Sequence, residues 1–222
     1  MKLCTRHQAL HLIKPYLPDN PVLIEAGAYK GQDSLYMAKL FPAATLHLFE
    51  PVPELFALLK QNTRQSPRLH YWHYALSDTI SITPFYVAEK KEDPGVPTQA
   101  GSLLPPKERL LKSSIVYPRY IQVPTITLDQ WVKENNISQV DFLWLDAQGN
   151  ELAILNGALA LLPTVTALLV ELHFIQAYEG QPLADEIITW LDNHDFAMIA
   201  KDYADQPAWF FGNGLFIKKN LL

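Results

Sequence analysis

Short apolar runs alternate with segments of helical periodicity along most of the chain. Such runs predict buried strands when they are about four to eight residues long and end in turn residues or charges. Five runs fit this description, at residues 22–26, 45–49, 69–75, 140–145 and 165–172. Leucine, alanine and isoleucine recur at helical spacing after four of them, at 33–41, 51–59, 152–159 and 184–191.

The remaining segments extend this pattern toward both ends of the chain. Residues 1–20 predict an N-terminal helical segment, and residues 128–134 predict a short helix. Further strands are predicted at 81–87, 121–123, 196–200 and 209–217. Repeated strand–helix–strand units with apolar strands are typical of a mostly parallel sheet covered on both faces. We therefore predict an α/β fold, a three-layer sandwich that forms one domain over residues 1–222.

One segment, residues 89–119, breaks the pattern. It contains five of the 17 prolines and several basic side chains, without clear periodicity. A segment of this length without periodicity is usually a functional loop or a disordered one. We expect a proline-rich insertion here that acts as a lid over a nearby site.

Composition and charge limit the cellular compartments and the binding partners that suit this chain. The chain has 18 basic and 23 acidic side chains, and this balance does not favour nucleic acid or an anionic membrane as a partner. The single cysteine, Cys4, cannot form an internal disulfide, which suits a reducing cytoplasm, and the N-terminus does not predict a signal peptide. The apolar run at 152–170 approaches the length of a membrane span, but Pro163 divides it, so we predict a helix, a turn and a strand.

Acidic residues lie at the ends of four predicted strands: Glu25, Glu50, Asp146 and Glu171. Ligands of parallel α/β sheets bind at the carboxyl ends of the strands. Since a single buried carboxylate is unfavourable, four of them at one edge indicate a binding site.

The first strand leads into a glycine loop with the pattern E-x-G-x-x-x-G, from Glu25 to Gly31. Gly27 suits a tight turn, and Gly31 allows the next helix to start close to the strand. The pattern differs from the G-x-G-x-x-G loop that binds a pyrophosphate, so it favours a nucleoside without phosphates. Glu50 follows about 20 residues later, where a carboxylate can accept hydrogen bonds from both ribose hydroxyls.

Small and apolar residues follow the third predicted strand. Ala75, Leu76 and Asp78 suit the face of an adenine ring and its amino group. The same residues are equally typical of an ordinary capped turn.

Six segments together resemble one known family. They are EAGAYKG, FEP, ALSD, TITLDQW, FLWLDAQGNE and VEL, within residues 20–217. The set resembles the FkbM-type S-adenosylmethionine-dependent methyltransferases. The resemblance implies the class I methyltransferase fold, which is Rossmann-like, with a seven-stranded sheet and an antiparallel last strand. It also suggests O-methylation of a small molecule or a sugar hydroxyl, with S-adenosylmethionine as cofactor.

By motif position, the resemblance places the cofactor against Glu25, Gly27, Gly31 and Glu50, with Ala75, Leu76 and Asp78 near the adenine. The chain departs from the family at two points. Tyr29 stands where asparagine is usual, and Trp144 stands where lysine is usual. We expect Trp144 to pack in the core.

Transfer of a methyl group to a hydroxyl requires alignment and benefits from a general base. Asp146 and His173 are the candidate catalytic residues. Asp146 could instead bind the methionine amine of the cofactor, or hold a magnesium ion together with Glu171. Glu151 lies in the first turn of a predicted helix, where capping and a role in the site are both reasonable.

Two further sets of residues are considered as a metal site and as an acceptor site. His7 and His11 have the spacing of a zinc-binding helix, but Gln8 replaces the glutamate of that motif, and we assign no metal ligand. In the insertion, one or more of Lys107, Arg109 and Lys112 are expected to meet an anionic small-molecule acceptor.

Two other functions remain as alternatives. A nicotinamide-dependent oxidoreductase would share the fold but lacks its phosphate-binding loop here. A binding module that keeps the fold without catalysis would be consistent with the departures at Tyr29 and Trp144.

Overall fold

The computed structural model describes residues 2–112, 114–204 and 210–222. The strands among them are β1 (Lys2–Leu3), β2 (Val22–Ala26), β3 (Thr45–Phe49), β4 (Leu69–Trp72), β5 (Ala75–Leu76), β6 (Ser81–Lys90), β7 (Asp93–Pro97), β8 (Ile115–Ile126), β9 (Phe142–Leu145), β10 (Ala167–His173), β11 (Phe196–Lys201) and β12 (Phe211–Lys218). The helices are α1 (Arg6–Ile13), α2 (Gln32–Leu40), α3 (Pro53–Thr63), α4 (Arg109–Lys112), α5 (Leu128–Glu134), α6 (Glu151–Asn156) and α7 (Ala184–Asn193).

The main sheet has eight strands in the order β1-β11-β12-β10-β9-β2-β3-β4. Every neighbouring pair is parallel except those of β12, which is antiparallel to β10 and β11. The predicted parallel α/β fold with an antiparallel last strand is confirmed. The sheet has one strand more than the resemblance implied, because the short β1 pairs with the outer edge of β11.

Helices cover both faces of this sheet, as the apolar strands require. On one face α1, α2 and α3 pack with residues such as Leu10 and Leu59. On the other face α5, α6 and α7 pack with residues such as Trp131 and Ile187. The three-layer arrangement leaves the carboxyl ends of the strands as an open edge.

A second, four-stranded sheet in the order β5-β8-β6-β7 lies beside the main sheet. The single strand predicted at 69–75 is divided, because Ala75 and Leu76 leave the main sheet and pair with Thr125 and Ile126 of β8. The inner face of this second sheet carries Phe85, Val87 and Val123, which pack against the start of α3.

The insertion at 89–119 contains more regular structure than its sequence predicts. It includes the end of β6, all of β7, the short α4 and the first part of β8. Proline is compatible with strands where it lies at an edge, and β7 with Pro94 and Pro97 is an edge strand. The prolines therefore made β7 difficult to predict from the sequence, although it forms a strand by pairing with β6.

The apolar run at 152–170 divides as predicted. It forms part of α6, a 3₁₀ turn at Leu162–Thr164 and the first part of β10. Across the described residues, no helix has both the length and the apolar character that crossing a membrane requires.

Candidate functional site

A cavity of about 400 Å³ opens at the carboxyl ends of β2, β3, β9 and β10. This volume is within the range of about 300 to 1,000 Å³ that small-molecule sites occupy. The second sheet and residues of the insertion form its other walls.

Six of the predicted site residues line this cavity: Glu25, Gly27, Glu50, Ala75, Leu76 and Asp146. Three others, Gly31, Asp78 and His173, lie outside its lining.

Gly27 allows two strand ends to approach each other closely. Its φ is +85°, and a Cβ atom placed on it would lie 2.1 Å from the carbonyl oxygen of Asp146. Any side chain would therefore separate β2 from β9 at the floor of the cavity.

Gly31 lies outside the cavity lining and has close neighbours in α3. It precedes α2 with a φ of +84°, and a Cβ atom would lie 2.5 Å from Thr63 Cγ2 and 2.9 Å from Leu59 Cδ1. The residue thus allows the start of α2 to pack against α3, behind the cavity.

Asp78 is exposed, and its closest recorded polar contact is with Ser77 Oγ at 3.4 Å. The apolar wall beside it is formed by Leu76, Phe49 and Ile154. Asn150 braces this wall, because its Nδ2 donates to the carbonyl oxygen of Leu76 at 2.8 Å.

Glu50 is buried, and backbone groups fix its carboxyl group. Oε2 accepts a hydrogen bond from Tyr29 N at 3.0 Å, and Oε1 accepts one from Val52 N at 2.9 Å. Burial raises the pKa of Glu50 to about 8 against the opposing effect of these two bonds. Tyr29 donates from a left-handed conformation, with φ of +51°.

Glu25, near the end of β2, is also buried. Ser34 Oγ donates to its Oε2 at 2.5 Å. Burial raises the pKa of Glu25 well above its usual value. Arg6 of α1 also lines the cavity, and its charge acts in the opposite direction.

Asp146 and Glu171 are joined by one side chain. Gln148 Nε2 donates to Asp146 Oδ1 at 2.9 Å and to Glu171 Oε2 at 2.7 Å. Burial, followed by the charge of Glu171, raises the pKa of Asp146 to about 7. Burial likewise raises the pKa of Glu171 above its ordinary value.

His173 lies behind Glu171 and is only 1% exposed. Its Nε2 is 2.9 Å from Glu171 Oε2, and burial lowers its pKa. In this position His173 reaches the cavity only through the Glu171 carboxylate.

Glu151 closes the loop that precedes α6. Its Oε1 accepts from Ala147 N at 2.8 Å, and its Oε2 accepts from Gly149 N at 3.0 Å. It is buried outside the cavity lining, and the N–H groups that it accepts from belong to the loop before α6.

The insertion contributes one wall of the cavity, through Thr98, Gln99, Gly101, Leu103 and Arg109. The Arg109 guanidinium lies 5.0 Å from the centre of the Phe210 ring and 5.9 Å from that of Phe211. Lys107 points elsewhere, since its Nζ donates to Gln176 Oε1 at 2.6 Å. The side chain of Lys112 is outside the described part of the structure.

Several lining residues were missed from the sequence: Arg6, Gln148, Asn150 and Asn213. Gln148 and Asn150 lie within the segment FLWLDAQGNE, so their position after a strand end was the available signal. Nothing local distinguishes Arg6 or Asn213, which reach the cavity through the packing of α1 and the pairing of β12 with β10.

The two departures from the family pattern differ in their surroundings. Trp144 is 2% exposed and packs with the core on the α1 side of the sheet, which confirms the predicted core position. Tyr29 lines the cavity and donates its N–H to Glu50.

The strand order and the position of the cavity define a domain of the class I methyltransferase type. Solved structures support this fold. A fibrillarin–Nop5p complex matches with a TM-score of 0.55 and 12% identity, over 96% of this chain and 81% of that chain. Magnesium protoporphyrin IX methyltransferase (ChlM) from Synechocystis PCC 6803, with bound SAM, matches with a TM-score of 0.51 and 9% identity, over 96% and 79%.

Sequence comparison gives the family. The profile described as "Methyltransferase FkbM domain" matches residues 25–198, and the chain belongs to this family of methyltransferases. The 2-O-methyltransferase NoeI of Sinorhizobium fredii is 30% identical over 165 residues, which cover 74% of this chain and 68% of that protein. The resemblance seen in the six sequence segments is thereby confirmed.

Proposed function

We propose that this chain transfers the methyl group of S-adenosylmethionine to a hydroxyl group of a small molecule or sugar. The observation that carries the proposal is the Glu50 carboxyl group, buried at the end of β3 and facing a cavity of suitable size in a chain of this family. The name of the relative NoeI, a 2-O-methyltransferase, supports an oxygen atom as the acceptor.

The cavity residues fit the parts of S-adenosylmethionine. Glu50 would hold the ribose hydroxyls, and the apolar wall of Phe49, Leu76 and Ile154 would hold the adenine. Gly27 allows β2 to lie close to β9 at the cavity floor, where a Cβ atom would meet the carbonyl oxygen of Asp146. When bound, S-adenosylmethionine supplies a methyl group on a positively charged sulfur.

The methionine end of the cofactor carries a positive amine and a negative carboxylate. Glu25 would attract the amine, and Arg6 would attract the carboxylate, since both line the cavity and lie close enough for the charge of Arg6 to act on Glu25. The assignment of Gly31 and Asp78 to the cofactor has less support, because neither lines the cavity.

Asp146 is our candidate for the general base that accepts the proton of the acceptor hydroxyl. A base works best when its pKa lies near the working pH, and burial raises the pKa of Asp146 to about 7. His173 would act indirectly, by holding the Glu171 carboxylate through its Nε2.

The acceptor would bind beneath the insertion, which would cover this end of the cavity. Arg109 and the Phe211 ring line the cavity there, together with Asn213 and Glu171 of the paired strands β12 and β10. An anionic group on the acceptor would be held by Arg109, one of the three basic residues that the sequence predicts for this role and one that lines the cavity.

Calorimetric titration with S-adenosylhomocysteine tests the proposed cofactor. We expect the wild-type chain to bind, and Glu50→Ala to bind about 10- to 100-fold more weakly, because the ribose would lose its hydrogen bonds to the Glu50 carboxyl group. Glu54→Ala is the matched control, since Glu54 is exposed on the first turn of α3 outside the cavity. Glu50→Gln keeps the side-chain volume if the alanine variant unfolds.

Absence of binding by the folded wild-type chain would exclude S-adenosylmethionine as cofactor. Parallel titrations with NAD and NADP test the oxidoreductase alternative. Transfer of labelled methyl groups to any member of a panel of hydroxylated small molecules would exclude a binding module without catalysis.

A further inference from the structure

Gln148 makes an unusual set of contacts for one glutamine. A side-chain amide nitrogen has two hydrogens, and here one nitrogen donates to two carboxylates, Asp146 and Glu171. The amide oxygen, Oε1, lies on the other side and accepts from the hydroxyl of Tyr178 at 2.9 Å. Reversal of the amide would place its oxygen against the two carboxyl groups and remove both donated hydrogen bonds, so the orientation with Nε2 toward the acids is the one that bridges them.

The backbone of Gln148 is also held in place. Its φ is +51°, a left-handed conformation that costs conformational energy for any residue other than glycine. Its carbonyl oxygen accepts from Ser102 Oγ at 2.7 Å, and Ser102 is completely buried. Ser102 belongs to the insertion, so the insertion and the two acids meet at one residue.

We propose that Gln148 is a positioning residue that holds the carboxylates of Asp146 and Glu171 in one geometry and ties that geometry to Ser102 of the insertion. The description of these carboxylates as active-site groups depends on the proposed function, whereas the contacts themselves do not. Through this contact, the insertion would help to set the position of the candidate base.

The electrostatics of the pair agree with this role. The charge of Glu171 raises the pKa of Asp146, so the two acids repel each other when both are ionised. Donation by Gln148 lowers the pKa of each acid, because it favours the charged form. Other charged or titratable groups that act on the pair or its surroundings are Arg6, Glu25, Arg109, Glu151, His173 and Asp202.

Carboxyl titration by NMR tests the proposal on the whole chain, labelled with ¹³C at Asp and Glu carboxyls. The signals are assigned with Asp146→Asn and Glu171→Gln. In Gln148→Met, which keeps the side-chain size but removes the donor, we expect both titration midpoints to rise by about one pH unit. Gln148→Asn suits the left-handed backbone but is too short to reach both acids, and should shift at least one midpoint upward.

Gln181→Met is the matched control. Gln181 is another buried glutamine, and its Oε1 accepts from Tyr178 N at 3.1 Å, with no recorded contact to either acid. We expect the wild-type midpoints in this variant. Unchanged midpoints in folded Gln148→Met and Gln148→Asn, or equal shifts in Gln181→Met, would overturn the proposal. The titration uses neither cofactor nor acceptor, so its failure is distinct from a failure to transfer methyl groups.

Discussion

Gly27 and Gly95 have nearly the same backbone conformation, with φ of +85° and +82°, but different surroundings. A Cβ atom on Gly27 would meet the backbone of Asp146, whereas one on Gly95 would have no atom within 4 Å. Gly95→Ala should therefore lower the free energy of unfolding by about 1 to 2 kcal/mol, the cost of a left-handed alanine. Gly27→Ala should lower it by at least twice as much, because β2 and β9 must also separate.

Urea denaturation of both variants measures this difference. Equal losses of stability would show that the strand ends can move apart at little cost, in contradiction to the close packing at the cavity floor.

Among single residues, the two glycines of the E-x-G-x-x-x-G loop differ in how well the motif predicted their positions relative to the cavity. Gly27 and Gly31 look alike in the sequence, and both have positive φ. Only Gly27 borders the cavity, because the chain at Gly31 has already turned into α2 toward Thr63. The two glycines differ because residues from distant parts of the chain surround them, Asp146 beside Gly27 and Thr63 beside Gly31.

At the scale of elements, Asp129 joins α5 to the turn after α6. Its two carboxylate oxygens accept from Ala160 N and Leu161 N, each at 2.9 Å. The segment TITLDQW therefore contributes a structural connection, although the sequence associated it only with the family. Thr127 caps the same helix by accepting from Gln130 N at 3.1 Å.

Asp129→Ala should lower the free energy of unfolding by about 1 to 3 kcal/mol, because two backbone N–H groups lose their charged acceptor. Asp19→Ala, at an exposed loop position, is the control and should change stability by less than about 0.5 kcal/mol. Chemical denaturation compares the two variants. A loss at Asp129 no greater than that at Asp19 would mean that these bonds contribute little.

Strands and helices with regular patterns were predictable, since burial on one or both faces determines their periodicity. The exceptions were elements whose partners come from elsewhere. The strand β5 follows β4 after two residues, yet it pairs with Thr125 and Ile126, and β7 forms only because β6 offers it an edge.

At the scale of the whole molecule, buried acids link stability to pH. Burial raises the pKa of Glu50 from 4.5 to about 8 and that of Asp146 from 3.8 to about 7. Between the ordinary and the raised pKa of each acid, the folded chain binds more protons than the unfolded chain. The free energy of unfolding therefore falls as pH rises through this interval. The stabilising effect of protonation is complete below about pH 4 and is lost as the pH passes through about 7 to 8.

Thermal unfolding should therefore show a Tm that decreases from pH 5 to pH 9. Glu50→Gln resembles the protonated acid, so we expect a Tm near that of the wild type at pH 5 and a higher Tm at pH 9. A wild-type Tm that rises over this range would contradict the assignment of these acids as buried and protonated near neutral pH.

The sequence by itself determined the α/β alternation, the family and the convergence of four strand-end acids on one edge. It could do so because parallel strands place their carboxyl ends together whatever the details of packing. Only the tertiary structure decided that Gln148 bridges Asp146 and Glu171, that Arg109 lines the cavity while Lys107 contacts Gln176, and that Asp78 lies outside the lining. These positions depend on contacts between distant segments, which leave no periodic trace in the chain.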